Sequence, residues 1–458
     1  MADPTRPKPA RKARLRAGIQ AACLGLFIYL ALAARFGWPS PVPYDGFLRL
    51  DPLAWLLSSV AARALAPYGW MALGVVVVTA LFGRVFCGWV CPLGTTIDWV
   101  GRLRGRRPGM ALPRPVFKAK FWIFVALLGG AAAGANFGGW LGPLAMSSRA
   151  LHVARGAPQE PLGPAIGWAL VAAAAGLALL APRLWCRSLC PLGAALSLLA
   201  HMAPYRRRTT QSCTRCGACS AVCPMGIAPR GGSPADCLGC RRCEAACADG
   251  AIEFGFARPS TRARQRCEGR WRTALFRRDV LGSVAIGAVA GWLVRPRSGR
   301  GTLRPPGAVT DEGLTARCVG CGTCLAVCPT GGLLPLVQAG RLDAVFTPHL
   351  VPRVGACLPG CTACGDACPT GAIARITAQD KPAIQIGLAA IDRSRCLPWA
   401  RGERCLICLD ICPREYKAIE LRPARPGPPR PFVRDGRCTG CGLCEHDCPE
   451  GAIRVRPV

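Results

Sequence analysis

Eight cysteines between residues 213 and 247 constrain this chain more than any other feature. They run Cys213, Cys216, Cys219 and Cys223-Pro224, then Cys237, Cys240, Cys243 and Cys247. Three cysteines at two-residue intervals set their thiolates around one corner of an iron-sulfur cube, and the fourth, placed before Pro, goes to the partner cluster. The spacing predicts two 4Fe-4S clusters, one on Cys213, Cys216, Cys219 and Cys247, the other on Cys237, Cys240, Cys243 and Cys223. Structural zinc usually takes its four ligands as two separated pairs, which this run does not offer.

The chain has 458 residues, enough for two or three domains. Hydrophobic residues make up 51 % of it and its mean hydropathy is +0.27, yet it carries 30 cysteines. A membrane protein loaded with cofactors fits both facts. Most cysteines fall into quartets, which argues for clusters rather than a disulfide framework. The formal charge of +33 would suit nucleic acid, but no nucleic-acid module accompanies it. The bases near apolar segments instead follow the enrichment of Lys and Arg in cytoplasmic loops.

Taken in order, Arg6, Lys8, Arg11, Lys12, Arg14 and Arg16 precede a first apolar run, Ala17 to Phe36. Its length suits a bilayer core, which takes about 20 residues. Arg35 and Gly37-Trp38-Pro39 make a poor cleavage site, so the run reads as a retained helix starting in the cytoplasm. The base-poor loop to Pro67 is expected outside, with Asp51 to Ala66 as a short interfacial helix. A second span, Tyr68 to Phe86, leads to Cys87 and then a loop with Arg102, Arg104, Arg106, Arg107, Arg114, Lys118 and Lys120, expected inside. A third span, Phe121 to Trp140, leads to a loop with Arg149, His152, Arg155 and Glu160, expected outside. The fourth, Gly163 to Ala181, returns the chain to the cytoplasm at Arg206, Arg207 and Arg208.

This half contains a repeat. Both helix pairs end in C-x3-C-P-L-G, as Cys87, Cys91 and Pro92 and as Cys186, Cys190 and Pro191. Four convergent thiolates could hold a metal or exchange thiol and disulfide. Equally, small cysteines could simply pack where Pro starts a helix. Cys23 and Cys267 stand alone and read as ordinary residues.

A basic stretch, Arg258 to Arg278, precedes an apolar run from Val280 to Val294. The Arg277-Arg278 pair before a short apolar run resembles a twin-arginine export address, and Ala288-Val-Ala290 resembles a small-residue cleavage site. An ordinary short membrane helix is the other reading. Either way the segment crosses the membrane.

After a linker, Pro296 to Gly307, come four more quartets: Cys318, Cys321, Cys324 and Cys328; Cys357, Cys361, Cys364 and Cys368; Cys396, Cys405, Cys408 and Cys412; and Cys438, Cys441, Cys444 and Cys448. Each ends in Cys-Pro and supplies one cluster's worth of ligands. The tails after Cys247, Cys368 and Cys448 share Gly-Ala-Ile, suggesting a turn and a closing strand. The pairing order, first with fourth or first with second, stays open.

These features resemble a known pair of families. Residues 17 to about 255 look like NapH/MauN, the membrane ferredoxin-type component of a quinol dehydrogenase, through the two C-x3-C-P motifs and the two-cluster insert. Residues 271 to 458 look like NapG/MauM, its exported four-cluster partner, through the twin-arginine segment and the four quartets. The resemblance implies electron passage from membrane quinol to a periplasmic acceptor, such as a c-type cytochrome or reductase, in nitrate-reductase or methylamine systems. Fusion into one chain is the departure.

The expected fold is an α-helical membrane domain, four spans as two repeated hairpins plus a fifth short span, joined to α+β ferredoxin-like 4Fe-4S domains. The boundaries are 1–205 for the membrane domain, 206–257 for the cytoplasmic insert, 258–296 for the basic linker and fifth span, and 297–458 for the periplasmic domain. Six 4Fe-4S clusters are expected, two cytoplasmic and four periplasmic, in a bacterial inner membrane. No C-x-x-C-H haem motif, Rossmann fingerprint or P-loop is present, so the chain reads as a relay, at most the electron-transfer component of a quinol dehydrogenase. His152, His201, His349 and His446 read as surface or packing residues. A maturation or redox-sensing protein using the C-x3-C-P thiols, and a relay outward from a cytoplasmic ferredoxin, are the alternatives. Asp51, Trp55 and Tyr44 are candidates for a quinone site by interfacial position alone.

Overall fold

The computed structural model describes residues 11–103, 105, 114–152, 162–227, 234–256, 277–294, 301–308, 310–337, 342, 344–425 and 427–458. Cys267, Arg104, Arg106, Arg107, Arg155, Glu160 and most of the basic stretch before Arg277 lie outside the described residues. The chain divides into two compact units, Met1–Leu30 with Gly46–Ser147 and Gly167–Leu293, and Ala31–Asp45 with Ser148–Ile166 and Val294–Val458.

The first unit is built on helices. These are α1 (Arg11–Phe36), α2 (Pro52–Ala62), α3 (Gly69–Phe82), α4 (Val85–Trp89), α5 (Pro92–Leu103), α6 (Ala119–Ala132), α7 (Pro143–His152), α8 (Leu162–Leu180), α9 (Leu184–Ser188) and α10 (Pro191–Ala200), some of which run on into the second unit. Among the described residues, Arg14–Phe36 is the one helix long and apolar enough to cross a bilayer; Pro52–Ala62, Gly69–Phe82, Ala165–Leu180 and Pro191–Ala200 are shorter apolar helices. The run expected as one span from Tyr68 to Phe86 is broken after Phe82. Gly83 takes φ 76°, and Arg84 behind it is fully buried. The run from Phe121 likewise ends at Ala132, with a turn at Gly134 (φ 89°).

Local chemistry explains the helix starts. Asp51 caps α2, its Oδ1 accepting from Leu53 N at 2.9 Å and Ala54 N at 3.2 Å, with Pro52 at the first helical position. Pro92 and Pro191 open α5 and α10 in the same way, each directly after the second cysteine of its repeat. The segment after the twin arginines forms α11 (Arg277–Val294), and α11 lies against α6 through glycine. A methyl on Gly287 would collide with the Ala126 carbonyl, and one on Gly129 with that of Val284. Small residues allow such close backbone approach between helices.

The insert closes with β1 (Tyr205–Thr209), ahead of its first cysteine, paired antiparallel to β2 (Ile252–Phe256), behind its last. In the second unit, α12 (Asp311–Arg317) is capped by Thr310 Oγ1, which accepts from Gly313 N at 3.2 Å. Strands β3 (Leu333–Pro335) and β4 (Pro348–Leu350) pair, as do β5 (Gly387–Ile391) with β8 (Ile453–Pro457), and β6 (Ile419–Arg422) with β7 (Arg430–Val433). An isolated bridge joins Ala308 to Ile373. The same device therefore closes three modules: backbone before the first cysteine of eight pairs with backbone after the last. Small apolar cores sit beside the cysteines. Leu303, Leu333 and Leu350 pack against Cys324, Cys328, Cys357 and Cys364, while Ala389, Ile419 and Ile453 surround Cys408 and Cys444.

Candidate iron-sulfur sites

The three module closures bring the cysteines together in crossed sets. One cavity of the insert is lined by Cys237, Cys240 and Cys243 with Cys223, the combination the spacing suggests. Thr214 Oγ1 donates to Asp249 Oδ2 at 2.8 Å, drawing the Cys213 loop to the Cys247 turn. In the second unit one cavity is lined by Cys357, Cys361 and Cys364 with Cys328. A second is lined by Cys438, Cys441 and Cys444 with Cys412, and a third by Cys396, Cys405 and Cys408 with Cys448. Cys318, Cys321 and Cys324 share their electrostatic neighbourhood with Cys368. The pairing left open by sequence is therefore first quartet with second and third with fourth.

The donor sets fit cubes. Backbone N–H groups donate to the last sulfur of several runs: Ile227 to Cys223 at 3.4 Å, Ala251 to Cys247 at 3.3 Å, Ile373 to Cys368 at 3.4 Å and Ala452 to Cys448 at 3.2 Å. Such bonds stabilise the negative charge of ligated sulfur and help set a cluster's potential. Burial pushes the Cys318 and Cys364 thiols up to about 12, so thiolate forms there only when a cation replaces the proton. Among the described residues no three His, Cys, Asp or Glu side chains converge tightly enough for a single ion. A cube instead takes one thiolate on each of four irons, as each crossed set supplies.

The second constellation surrounds the C-x3-C-P repeats. Cys87, Cys91, Cys186 and Cys190 are all buried, as are two arginines that sequence reasoning passed over, Arg84 and Arg183. Each stands three residues before the first cysteine of its repeat, so the unit is R-x2-C-x3-C-P-L-G. Arg183 crosses to the first repeat, donating to the carbonyls of Cys87 at 3.0 Å and Gly94 at 3.2 Å and to Asp98 at 2.7 and 2.8 Å. Asp98 also receives Arg16 at 2.7 Å and Gln20 at 3.1 Å from α1. Arg84 donates to Asp236 Oδ1 at 2.7 Å, which also accepts from Lys120 at 2.5 Å and Ser197 at 2.6 Å. Burial works against ionisation of Asp236, and Lys120 and Arg84 overcome it, holding the carboxyl well below the usual range. Asp236 precedes Cys237, and a methyl on Gly88 would lie 2.5 Å from Leu238 O. The first repeat therefore packs on the loop that opens the second cysteine run of the insert.

The quinone candidates each make local hydrogen bonds. Asp51 caps α2, Trp55 Nε1 donates to Ala66 O at 3.0 Å, and Tyr44 Oη donates to Trp38 O at 2.8 Å. His152 is buried, consistent with packing.

The methylamine utilization ferredoxin-type protein MauM of Paracoccus denitrificans is 36 % identical over 165 residues, covering 34 % of this chain and 71 % of that protein. The ferredoxin-type protein NapG of Escherichia coli is 35 % identical over 198 residues, 40 % of this chain and 84 % of its own length. The chain belongs to the MauM and NapG family of ferredoxin-type proteins. It is also similar to the ferredoxin-type protein NapH of Haemophilus influenzae, 32 % identical over 196 residues, 40 % of this chain and 64 % of NapH. Two families described as 4Fe-4S binding domains match residues 64–111 and 315–331, and two described as 4Fe-4S dicluster domains match residues 186–260 and 401–452. No solved structure matches. As a MauM/NapG-family member, the chain is an iron-sulfur electron-transfer protein.

Proposed function

We propose that the chain is a membrane-anchored relay that takes electrons from membrane quinol and delivers them to a periplasmic redox protein, a c-type cytochrome or a reductase. Six 4Fe-4S clusters carry the electrons, two in the cytoplasmic insert and four in the domain from residue 297 onward. The cysteines gathered in the crossed sets above are their ligands. The observation that carries the topology is the make-up of the second unit, which gathers the base-poor segments Ala31–Asp45 and Ser148–Ile166 with Val294–Val458. Ser148 Oγ donates to Cys321 O at 3.0 Å, and the Arg149 guanidinium lies 3.9 Å from the Phe346 ring centroid. Segments tied together in this way share one side of the membrane, and few bases favour the outside.

The membrane reading has its own support. Trp70, Leu73, Ile286, Trp292 and Leu293 are well exposed on α3 and α11, where hydrocarbon would cover them. The buried C-x3-C-P thiols favour an internal role over exchange with a client protein, which needs access. The related proteins bear ferredoxin-type names, four of them in methylamine utilization, in keeping with a redox partner.

A protease-accessibility assay on spheroplasts, with tags at both ends, tests the sidedness. The carboxy-terminal tag should be cut in the wild type and protected when Arg277 and Arg278 are both replaced by Lys. A tag protected in the wild type would overturn the scheme.

A further inference from the structure

The buried charges around the C-x3-C-P repeats do not balance. Arg16, Arg84, Lys120 and Arg183 are at most 4 % exposed. Among the described residues two carboxylates answer them: Asp98 takes Arg16 and Arg183, and Asp236 takes Arg84 and Lys120. Two positive charges are left over in a place where unpaired charge is costly. Four thiols stand beside them. Cys87 Sγ lies 3.9 Å from Arg84 Nη2. The same guanidinium lies against the second repeat, where a methyl on Gly193 would come 2.7 Å from Nη2 and 3.5 Å from Cys190 Cβ.

We propose that Cys87, Cys91, Cys186 and Cys190 together ligate a further 4Fe-4S cluster, held between the two repeats and charge-balanced by Arg84 and Arg183. Four neutral thiols, or two disulfides, would leave the excess charge to the insert's cluster alone, whose Cys240 acts on Arg16. A cube bound by four thiolates carries about two negative charges in its oxidised form, which matches the excess. A single tetrahedral ion would bring the same charge, and the iron and sulfide count below separates the two. Cys190 Sγ also caps α10, accepting from Gly193 N at 3.3 Å, a bond that suits a thiolate. Arg84 connects the site to Asp236 and so to Cys237. This inference deepens the relay reading, and rests on it only for its role, as the step between quinol and the insert.

The test is iron and acid-labile sulfide per chain in the full-length protein, purified anaerobically. Seven clusters hold about 28 iron atoms and six hold about 24. The wild type should reach the higher figure. The double variant Cys87→Ser with Cys186→Ser should fall by about four, with the electron paramagnetic resonance signals of the other clusters retained as proof of folding. A wild type holding the lower figure, or a folded double variant with unchanged iron, overturns the proposal. Neither readout depends on quinol, so a chain that fails to oxidise quinol yet holds the higher figure refutes the relay and keeps the site.

Discussion

Arg183, on the second C-x3-C-P-L-G repeat, donates to the carbonyl of Cys87 on the first at 3.0 Å. Its other bonds, to Gly94 O and both oxygens of Asp98, make it the clasp between repeats. Arg183→Leu leaves Asp98 with Arg16 and Gln20 and two buried carbonyls without this donor. Breaking a buried pair in this way costs about 3–5 kcal/mol, which should appear as a lowered unfolding midpoint in detergent. Arg183→Lys keeps the charge but not the planar fork, and should recover only part of the loss.

Asp236 joins α6, α10 and Arg84 to the insert. Asp236→Asn strips two buried cations of their carboxylate directly before Cys237. The cluster of Cys237, Cys240, Cys243 and Cys223 should become labile while that of Cys213 persists. Iron analysis combined with electron paramagnetic resonance on anaerobic samples checks this, and equal loss of both clusters would count against the assignment.

How much of this could be read beforehand differs by scale. The cysteine runs, the helix starts at Pro52, Pro92 and Pro191, and the closing strand at Ile252 are local, set by a few neighbouring residues. The pairing of quartets was also legible, through a signal left unused. The Gly-Ala-Ile tail follows Cys247, Cys368 and Cys448 but not Cys328 or Cys412, and it marks where each module ends. Arg84 and Arg183 were visible as repeated residues once the repeat was extended by three positions. Their partners were not. Arg84 and Asp236 lie 152 residues apart, and only folding shows which carboxylate answers which base.

The crossed sets make Cys318→Ser diagnostic. It should remove the cluster shared by the first quartet and Cys368 and loosen the Ala308–Ile373 closure, because ligation supplies much of the folding free energy of such small modules. The insert's pair should remain. Resonance spectra with all clusters unchanged would contradict the ligand assignment.

His349, at the centre of β4, is pushed down to about 4 by burial, with Arg304 adding to the effect. The unfolded chain binds that proton near pH 6.5 and the fold resists it. This contribution to stability is therefore complete above about pH 6.5 and is lost as the pH falls toward 4. The carboxy-terminal domain should lose more thermal stability between pH 7.5 and about 5.5 in the wild type than in His349→Gln. Parallel pH profiles for the two proteins would show that the ring does not titrate as described.

The central claim is that electrons enter from membrane quinol and reach the outer clusters. The most direct measurement is anaerobic addition of a quinol to the full-length protein in lipid, followed by electron paramagnetic resonance of the clusters. The account predicts that clusters of the Val294–Val458 domain become reduced, and that Cys87→Ser with Cys186→Ser blocks this while dithionite still reduces them. Outer clusters that stay oxidised under quinol in the wild type, yet are reduced by dithionite, would contradict it.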